Sequence, residues 1–311
     1  MILTITLNPS IDISYPFSSF RIGEVNRVQN ETKTAGGKGL NVSRVLNQLN
    51  SNILATGVVG GYSGEFIKYK LSDEKINHNF FVIKNETRYC ISILHNSNQT
   101  EVLESGPQLT NEEVKNCIDK IKSLIPNKKV VTISGSMAKG FPIDTYQKLI
   151  TSAINHNCKV LLDASGENLK QSLICKNKPY LIKPNIEELN QLLSTNIKAN
   201  DFEALKASLN NSIFDDIKYI VISLGENGAI VKVNNDFFKV EVPKINPINP
   251  VGSGDSTIAG FAYAIDNALN SFEIIKYGMA CGVLNALNPK TGYINVQLLD
   301  KTMNEIRITN F

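Results

Sequence analysis

From Thr110 onward the sequence alternates between two periodicities, and that alternation limits the possible folds more than any other feature. TNEEVKNCIDKIKSLI carries apolar residues at helical spacing and opens with a capping box, Thr110 to Glu113. KVVTIS then reads as a strand, IDTYQKLITSAIN as a helix, KVLLDA as a strand and ENLKQSLI as a helix. YLIK, IEELNQLL, DFEALKASLN and YIVISLG continue the pattern, GAIVKV and DFFKVEV form a hairpin, and two apolar helices start at Ser253 and Ser271. Strands separated by helices need crossover connections. The expected fold is therefore α/β: a doubly wound, mostly parallel sheet flanked by helices.

The first third breaks this rhythm. ILTITL is a buried strand, NVSRVLNQL a helix and NILATGVVG a strand, and SGEFIKYKLSDEK is a helix expected to be capped by Ser63. Between them, IDISYPF and VNRVQNETK alternate like strands. NFFVIK, RYCISILH and TEVLES follow, the last two joined by the polar turn NSNQ. The stretches 12–33 and 87–104 are expected to form a small β-sheet lid projecting from a single domain of residues 1–311. No repeat, low-complexity tract or long linker divides the chain.

Composition excludes several function classes. The 32 basic and 29 acidic residues leave a formal charge of +3, which announces neither a nucleic-acid nor a membrane partner. The 5 cysteines are scattered without a CxxC pair and only 3 histidines exist, so neither a disulfide framework nor a zinc site is expected. The start MILTITLNPS has no basic leader, and no apolar run is of membrane-spanning length. A cytoplasmic location with free thiols is expected.

Two glycine clusters remain. AGGKGLN at 35–41 is no Walker A loop, because Gly39 follows Lys38 where Ser or Thr belongs. It also lacks the third glycine of a dinucleotide fingerprint, since Val42 stands there. It is either a plain helix-capping turn or a place where backbone approaches a ligand, with Lys38 and Asn41 adding polar contacts. NPVGSGDSTIAG at 249–260 puts Gly252, Ser253 and Gly254 at a helix start, so their amides and the helix dipole favour an anion. An acid there, Asp255, can be a dipole-friendly first-turn residue. Beside a bound phosphate it would be repelled, unless it serves as a base for an alcohol while the amides steady a transferring phosphoryl group.

Together these two clusters resemble the paired signatures of the ribokinase-like (PfkB) carbohydrate kinases. The likeness runs through NPSID, ISGS, KPNIEE and SLGENGA, in order, over nearly the whole chain. The resemblance implies ATP and Mg²⁺ as cofactors, with Asp255 as general base and the amides of Gly252, Ser253 and Gly254 as an anion hole. It implies that Asn185 and Glu188 organise magnesium through water. Lys183, Ser223, Gly225 and Gly228 would lie along the ATP site, with Asn285 near the adenine. Asp12, Gly37 and Asn41 would hold the sugar, and Ser136 would also bind substrate. Pro250 and Ser253 depart from the usual Thr and Ala of the second signature, which affects side-chain contacts but not amide chemistry.

Arg27, Lys38 and Arg88 match positions near the sugar in the branch that phosphorylates sugar phosphates, and an existing phosphate needs converging cations. Within that branch, MILTITLNPSIDISYP, TRYCISILH and TEVLESGP resemble enzymes acting on D-tagatose 6-phosphate in lactose and galactose breakdown. The 1-phosphofructokinases come second, with 6-phosphofructokinase chemistry as a further alternative. A sensor of nucleotide or sugar phosphate on the same fold is the alternative of a different class. Asp255, Asn185 and Glu188, all present, argue for the enzyme. Exposed lid edges, and the resemblance, imply a homodimer that pairs through the lid.

Overall fold

The computed structural model describes residues 1–96 and 98–311, so Ser97, within the expected NSNQ turn, lies outside the described residues. The first third contains β1 (Ile2–Thr6), β2 (Ser10–Phe17), β3 (Thr32–Gly36), α1 (Lys38–Gln48), β4 (Ile53–Gly60) and α2 (Gly61–Asp73). Then come β5 (Phe81–Ile83), β6 (Arg88–His95), β7 (Asn98–Leu103), α3 (Asn111–Leu124), β8 (Val130–Ser134), α4 (Thr145–Asn155) and β9 (Lys159–Asp163). α5 (Gly166–Leu173), β10 (Leu181–Ile182), α6 (Ile186–Leu193), α7 (Phe202–Ser208), β11 (Tyr219–Ser223), β12 (Ala229–Val233) and β13 (Asp236–Glu241) follow. The chain closes with α8 (Ser253–Asp266), α9 (Ser271–Ala286), α10 (Leu299–Glu305) and β14 (Arg307–Asn310).

The main sheet runs β14-β13-β12-β11-β10-β9-β8-β1-β4-β5. Neighbours from β11 through to β5 pair in parallel, and the β11–β14 edge is antiparallel. Because side chains alternate across a strand, Ile2, Val130 and Leu161 enter one core layer while Leu3, Val131 and Leu162 enter the other. Helices α1, α2, α8, α9 and α10 cover the first face, and α3 to α7 the second. The fold expected from the alternation is the fold observed.

A separate sheet, β3-β2-β6-β7, forms from the stretches expected to make the lid. Its β2 and β6 pair in parallel from Ser10↔Arg88 to Phe17↔His95. The lid differs from expectation in one segment: residues 18–31 form no strand, and the alternating VNRVQNETK enters the sheet only at Thr32. Polar residues on both sides of that stretch leave it no face to bury. The cap of α2 also differs. Ser63 lies inside the helix, and the free amides of Tyr62 and Ser63 instead donate to the Glu86 carboxylate, both at 3.0 Å. The capping box of α3 is present as expected. No described helix is long and apolar enough to cross a membrane.

Candidate active site

After β1 the chain passes into the lid and returns to β4 on one side of β1, then later to β8 on the other side. That makes β1 a topological switch point, and ligand sites form outside the carboxyl ends of strands at such a point. Asn8, Ser10 and Asp12 follow β1, Ser136 follows β8, Asp163 ends β9, Lys183 and Asn185 follow β10, and Ser223 ends β11. The amino ends of α1 and α8 meet these residues, carrying Lys38 and Asn41 on one and Asp255 on the other.

The turn into α8 depends on Gly252, whose φ is +80° and where a Cβ would come within 2.5 Å of Thr291 Cγ2. Among the described residues the amides of Gly252, Gly254 and Asp255 donate to no backbone carbonyl, whereas Ser253 N is engaged by Pro250 O at 3.2 Å. The expected anion hole is thus corrected in one detail: Ser253 contributes the least available amide. Lys183 Nζ stands 3.1 Å from where a Gly254 Cβ would be, so an ammonium group reaches the same spot. Asn285 is fully buried, and its Oδ1 accepts from Ser256 Oγ at 3.0 Å and Gly292 N at 2.8 Å, while its Nδ2 donates to Val251 O at 2.9 Å. With its amide spent in this way, Asn285 braces the turn into α8.

Asp255 is 6% exposed, and Asn41 Nδ2 donates to its Oδ2 at 2.8 Å. Burial, reinforced by the nearby Asp163 carboxylate, pushes the Asp255 carboxyl up to about 7, against the pull of Lys38, Asn41 and Lys183. Asp163 behaves oppositely. Although burial opposes ionisation, Lys183 and Lys38 hold its carboxyl below the usual range, each with Nζ 3.4 Å from one of its oxygens. The same carboxylate raises the Lys38 ammonium above its ordinary value. The two aspartates are thus driven in opposite directions, Asp163 toward the carboxylate and Asp255 toward the protonated acid.

On the lid side, Ser10 Oγ donates to Asp12 Oδ1 at 2.6 Å, and burial raises the Asp12 carboxyl. Gly36 lies directly beneath that carboxyl, where a Cβ would overlap it. Gly37 precedes α1 as its N-terminal cap residue. Arg88 Nη1 donates to Glu104 O at 3.0 Å and Nη2 to Asn8 O at 3.1 Å, while its buried Nε meets no partner among the described residues. Asn8 Nδ2 also reaches Ser136 Oγ at 3.3 Å, so one residue spans Arg88 and Ser136. The expected convergence of Arg27, Lys38 and Arg88 is not met within the chain. Arg27 is exposed in the 18–31 loop, in a hollow with Phe17 and Asn26 at the end of β2 opposite Ser10 and Arg88. Lys38 is turned to Asp163.

Toward β11, Asn185 and Glu188 form a reciprocal capping box on α6: Glu188 N donates to Asn185 Oδ1 at 2.8 Å, and Asn185 N to Glu188 Oε2 at 3.0 Å. The N-x-x-E pattern therefore has a structural role, and it leaves Glu188 Oε1 unspent by the cap. No cluster of three or more His, Cys, Asp or Glu that could hold a metal occurs among the described residues. That free carboxylate oxygen of Glu188 would suit contact through water with a hydrated Mg²⁺ better than direct ligation. Ser223 bridges to Asn185, and Gly225 is exposed in the turn beyond it. Gly228 is buried, and a Cβ there would overlap Val240 O, so it lets the β11–β12 turn lie against the end of β13.

Sequence reasoning missed Asp163, Asn8 and Gly36. Asp163 had a usable signal, an acid at the carboxyl end of a buried parallel strand. Asn8 and Gly36 act only through partners in other elements.

Comparisons with known proteins bear on the family and the fold. The family model described as pfkB family carbohydrate kinase matches residues 5–297. A Staphylococcus aureus protein solved under a provisional phosphofructokinase name is 29% identical, with TM-score 0.84 over 100% of this chain and 99% of that one. Phosphofructokinase-2 from Escherichia coli, solved with potassium, is 25% identical, with TM-score 0.89 over 97% and 98%. A Thermotoga maritima protein provisionally named 1-phosphofructokinase shares the fold, with TM-score 0.89 at 24% identity over 100% and 99%.

Proposed function

The chain belongs to the pfkB family of carbohydrate kinases, and from that premise we propose that it transfers the γ-phosphoryl group of ATP to a hydroxyl of a ketohexose phosphate. D-tagatose 6-phosphate, giving D-tagatose 1,6-bisphosphate and ADP, is the proposed reaction. The observation that carries the catalytic part is the buried Asp255, bonded to Asn41 at 2.8 Å and set beside free amides and Lys183. In this reading Asp255 takes the proton from the acceptor hydroxyl as the new O–P bond forms. A carboxyl near 7 suits that task, since a base works best when its pKa lies near the working pH. The amides of Gly252, Gly254 and Asp255, with Lys183, oppose the charge that builds on the transferring group. Mg²⁺ bound to the nucleotide would supply further neutralisation, with Glu188 and Asn185 nearest to its water shell.

The unspent donor Nε of Arg88, buried at the junction of lid and sheet, supports a phosphorylated acceptor over a free sugar. A buried donor without a partner costs on the order of 1–3 kcal/mol, which a bound phosphate oxygen would relieve. The second reading, a phosphofructokinase, is supported by the names of relatives 29% and 25% identical. We also propose that two lids pair in a homodimer. Every residue of the edge strand β7 is exposed, including the apolar Val102 and Leu103. ADP release measured on tagatose 6-phosphate, fructose 6-phosphate, fructose 1-phosphate, ribose and adenosine tests the assignment. The highest kcat/KM on tagatose 6-phosphate is expected. A preference for either fructose phosphate would replace the tagatose reading, and turnover of only ribose or adenosine would end the sugar-phosphate reading.

A further inference from the structure

An amide side chain can present either its NH2 or its carbonyl to a neighbour, and what fixes Asn41 lies behind it. Arg44, one turn along α1, is 3% exposed, and its Nη1 donates to Asn41 Oδ1 at 3.0 Å. Its Nη2 donates to Ala35 O at 2.6 Å and its Nε to Glu74 Oε2 at 3.0 Å. Glu74 is held in turn by Tyr293 OH at 2.9 Å, and the Tyr293 ring packs 5.4 Å from the guanidinium. Gly292, next to Tyr293, donates to Asn285, and Gln48 of α1 grips Gly292 O at 3.0 Å and Ile294 N at 2.9 Å. The segment 291–294 thus ties the helix carrying Asn41 to the turn carrying Asp255.

A guanidinium has five donors, no acceptor and a charge that it does not lose. Facing Arg44, the Asn41 amide has one satisfactory orientation, carbonyl toward the guanidinium and NH2 toward Asp255. We propose that Arg44 is a positioning residue that locks the Asn41 amide with its NH2 on the Asp255 carboxylate, and so keeps the base ionisable without touching it or the substrate.

The proposal rests on the reading of Asp255 as the base. A donated hydrogen bond favours the charged carboxylate, whereas an amide carbonyl turned toward it favours the protonated acid. The charged groups facing Asp255 are Asp163 from β9, Lys38 from α1 and Lys183 after β10, and α9 offers the neutral Asn285. Asp12, from the small sheet, lies within the electrostatic reach of both Arg44 and Arg88. None of these charged groups hydrogen-bonds the Asn41 amide, so none can replace Arg44 in orienting it.

The test is a pH profile of kcat/KM for wild type, Arg44→Met, Asn41→Ala and the double variant, with thermal unfolding checked for each. Arg44→Met is expected to move the acidic limb up by about one pH unit, a loss of roughly five-fold at pH 7 that closes above pH 9. In the Asn41→Ala background the same substitution is expected to move the limb no further. An equal loss at every pH, or a shift that persists without Asn41, would overturn the proposal; the latter would mark a through-space effect of the Arg44 charge. Should Arg44→Met fail to fold, NMR of the Asn41 side-chain amide in the wild type decides. Its nitrogen should follow the Asp255 titration, and no response between pH 5 and 9 would overturn the proposal. That resonance reports whether the Asn41 NH2 sits on the Asp255 carboxylate even if no sugar is turned over. A failed base assignment would show separately, as retained activity in Asp255→Asn.

Discussion

The two walls of the proposed site are built to opposite standards. On the sheet side, Asp163, Lys183 and Asp255 are 2%, 6% and 6% exposed, and each is held by partners from other elements. On the lid side, β7 is exposed along its length, the 18–31 loop has no regular structure, and Arg27 stands on the surface. A low-dielectric wall makes each charge count and fixes its protonation, which phosphoryl transfer requires. An open four-stranded plate with few buried contacts opens locally at lower free energy, which suits admission of a substrate. In the proposed reading, chemistry therefore falls to the rigid wall, and recognition of the acceptor is divided between the wall and the plate.

The largest expected effect is on the rigid wall. Asp255→Asn should lower kcat by roughly 10²–10⁴ with ATP affinity nearly unchanged, and steady-state kinetics with nucleotide titration checks both. The same substitution should stabilise the protein at pH 8. The native carboxyl holds its proton to about 7, whereas an unfolded Asp releases it near 3.9, so this group's contribution to stability falls as pH rises between those values. A lower melting temperature for the variant at pH 8 would contradict the assigned burial cost. Asp163→Asn should do the reverse, destabilising by about 3 kcal/mol or more in urea unfolding, since Lys183 would be buried without its partner. Because the Asp163 carboxyl is depressed, its stabilising contribution in the wild type is present above the unfolded value and is lost as pH falls through the native one.

On the plate, effects should be smaller and should appear in KM. Arg88→Ala is expected to raise KM for the phosphorylated acceptor by roughly ten-fold or more, with free inorganic phosphate partly restoring turnover of the unphosphorylated ketose. Unchanged KM values would remove Arg88 from the site. Smallest of all, Val102→Lys on β7 should leave thermal stability within about 0.5 kcal/mol of wild type and shift a dimer toward monomer in light scattering. A wild-type monomer at micromolar concentration would remove the basis for lid pairing.

The same division explains what could be read from the sequence. The sheet and its helices were legible because period 2 and period 3.6 each persist over whole elements, as in KVLLDA and IDTYQKLITSAIN. Asp255 was legible as a candidate because its glycine turn and its helix start lie within a few residues of it. The link from Lys38 through Asp163 to Lys183 was not, because β-pairing brings together groups 125 and 20 residues apart. The cap of α2 comes from Glu86, 23 residues beyond the serine it bonds. Asn285 is a buried polar residue whose role exists through partners distant in the chain, among them Ser256, Gly292 and Val251. The 18–31 loop was misread because an alternating pattern specifies a strand only when one of its faces has something to cover.

The central claim is that a single carboxylate on the rigid wall accepts the proton of the acceptor hydroxyl. Carbon-13 NMR of the Asp255 carboxyl, followed alongside kcat/KM over pH 5–9, tests it most directly. The account predicts a carboxyl midpoint near 7 that coincides with the acidic limb of the rate. A carboxyl titrating near 4 while the rate still falls below 7 would contradict it.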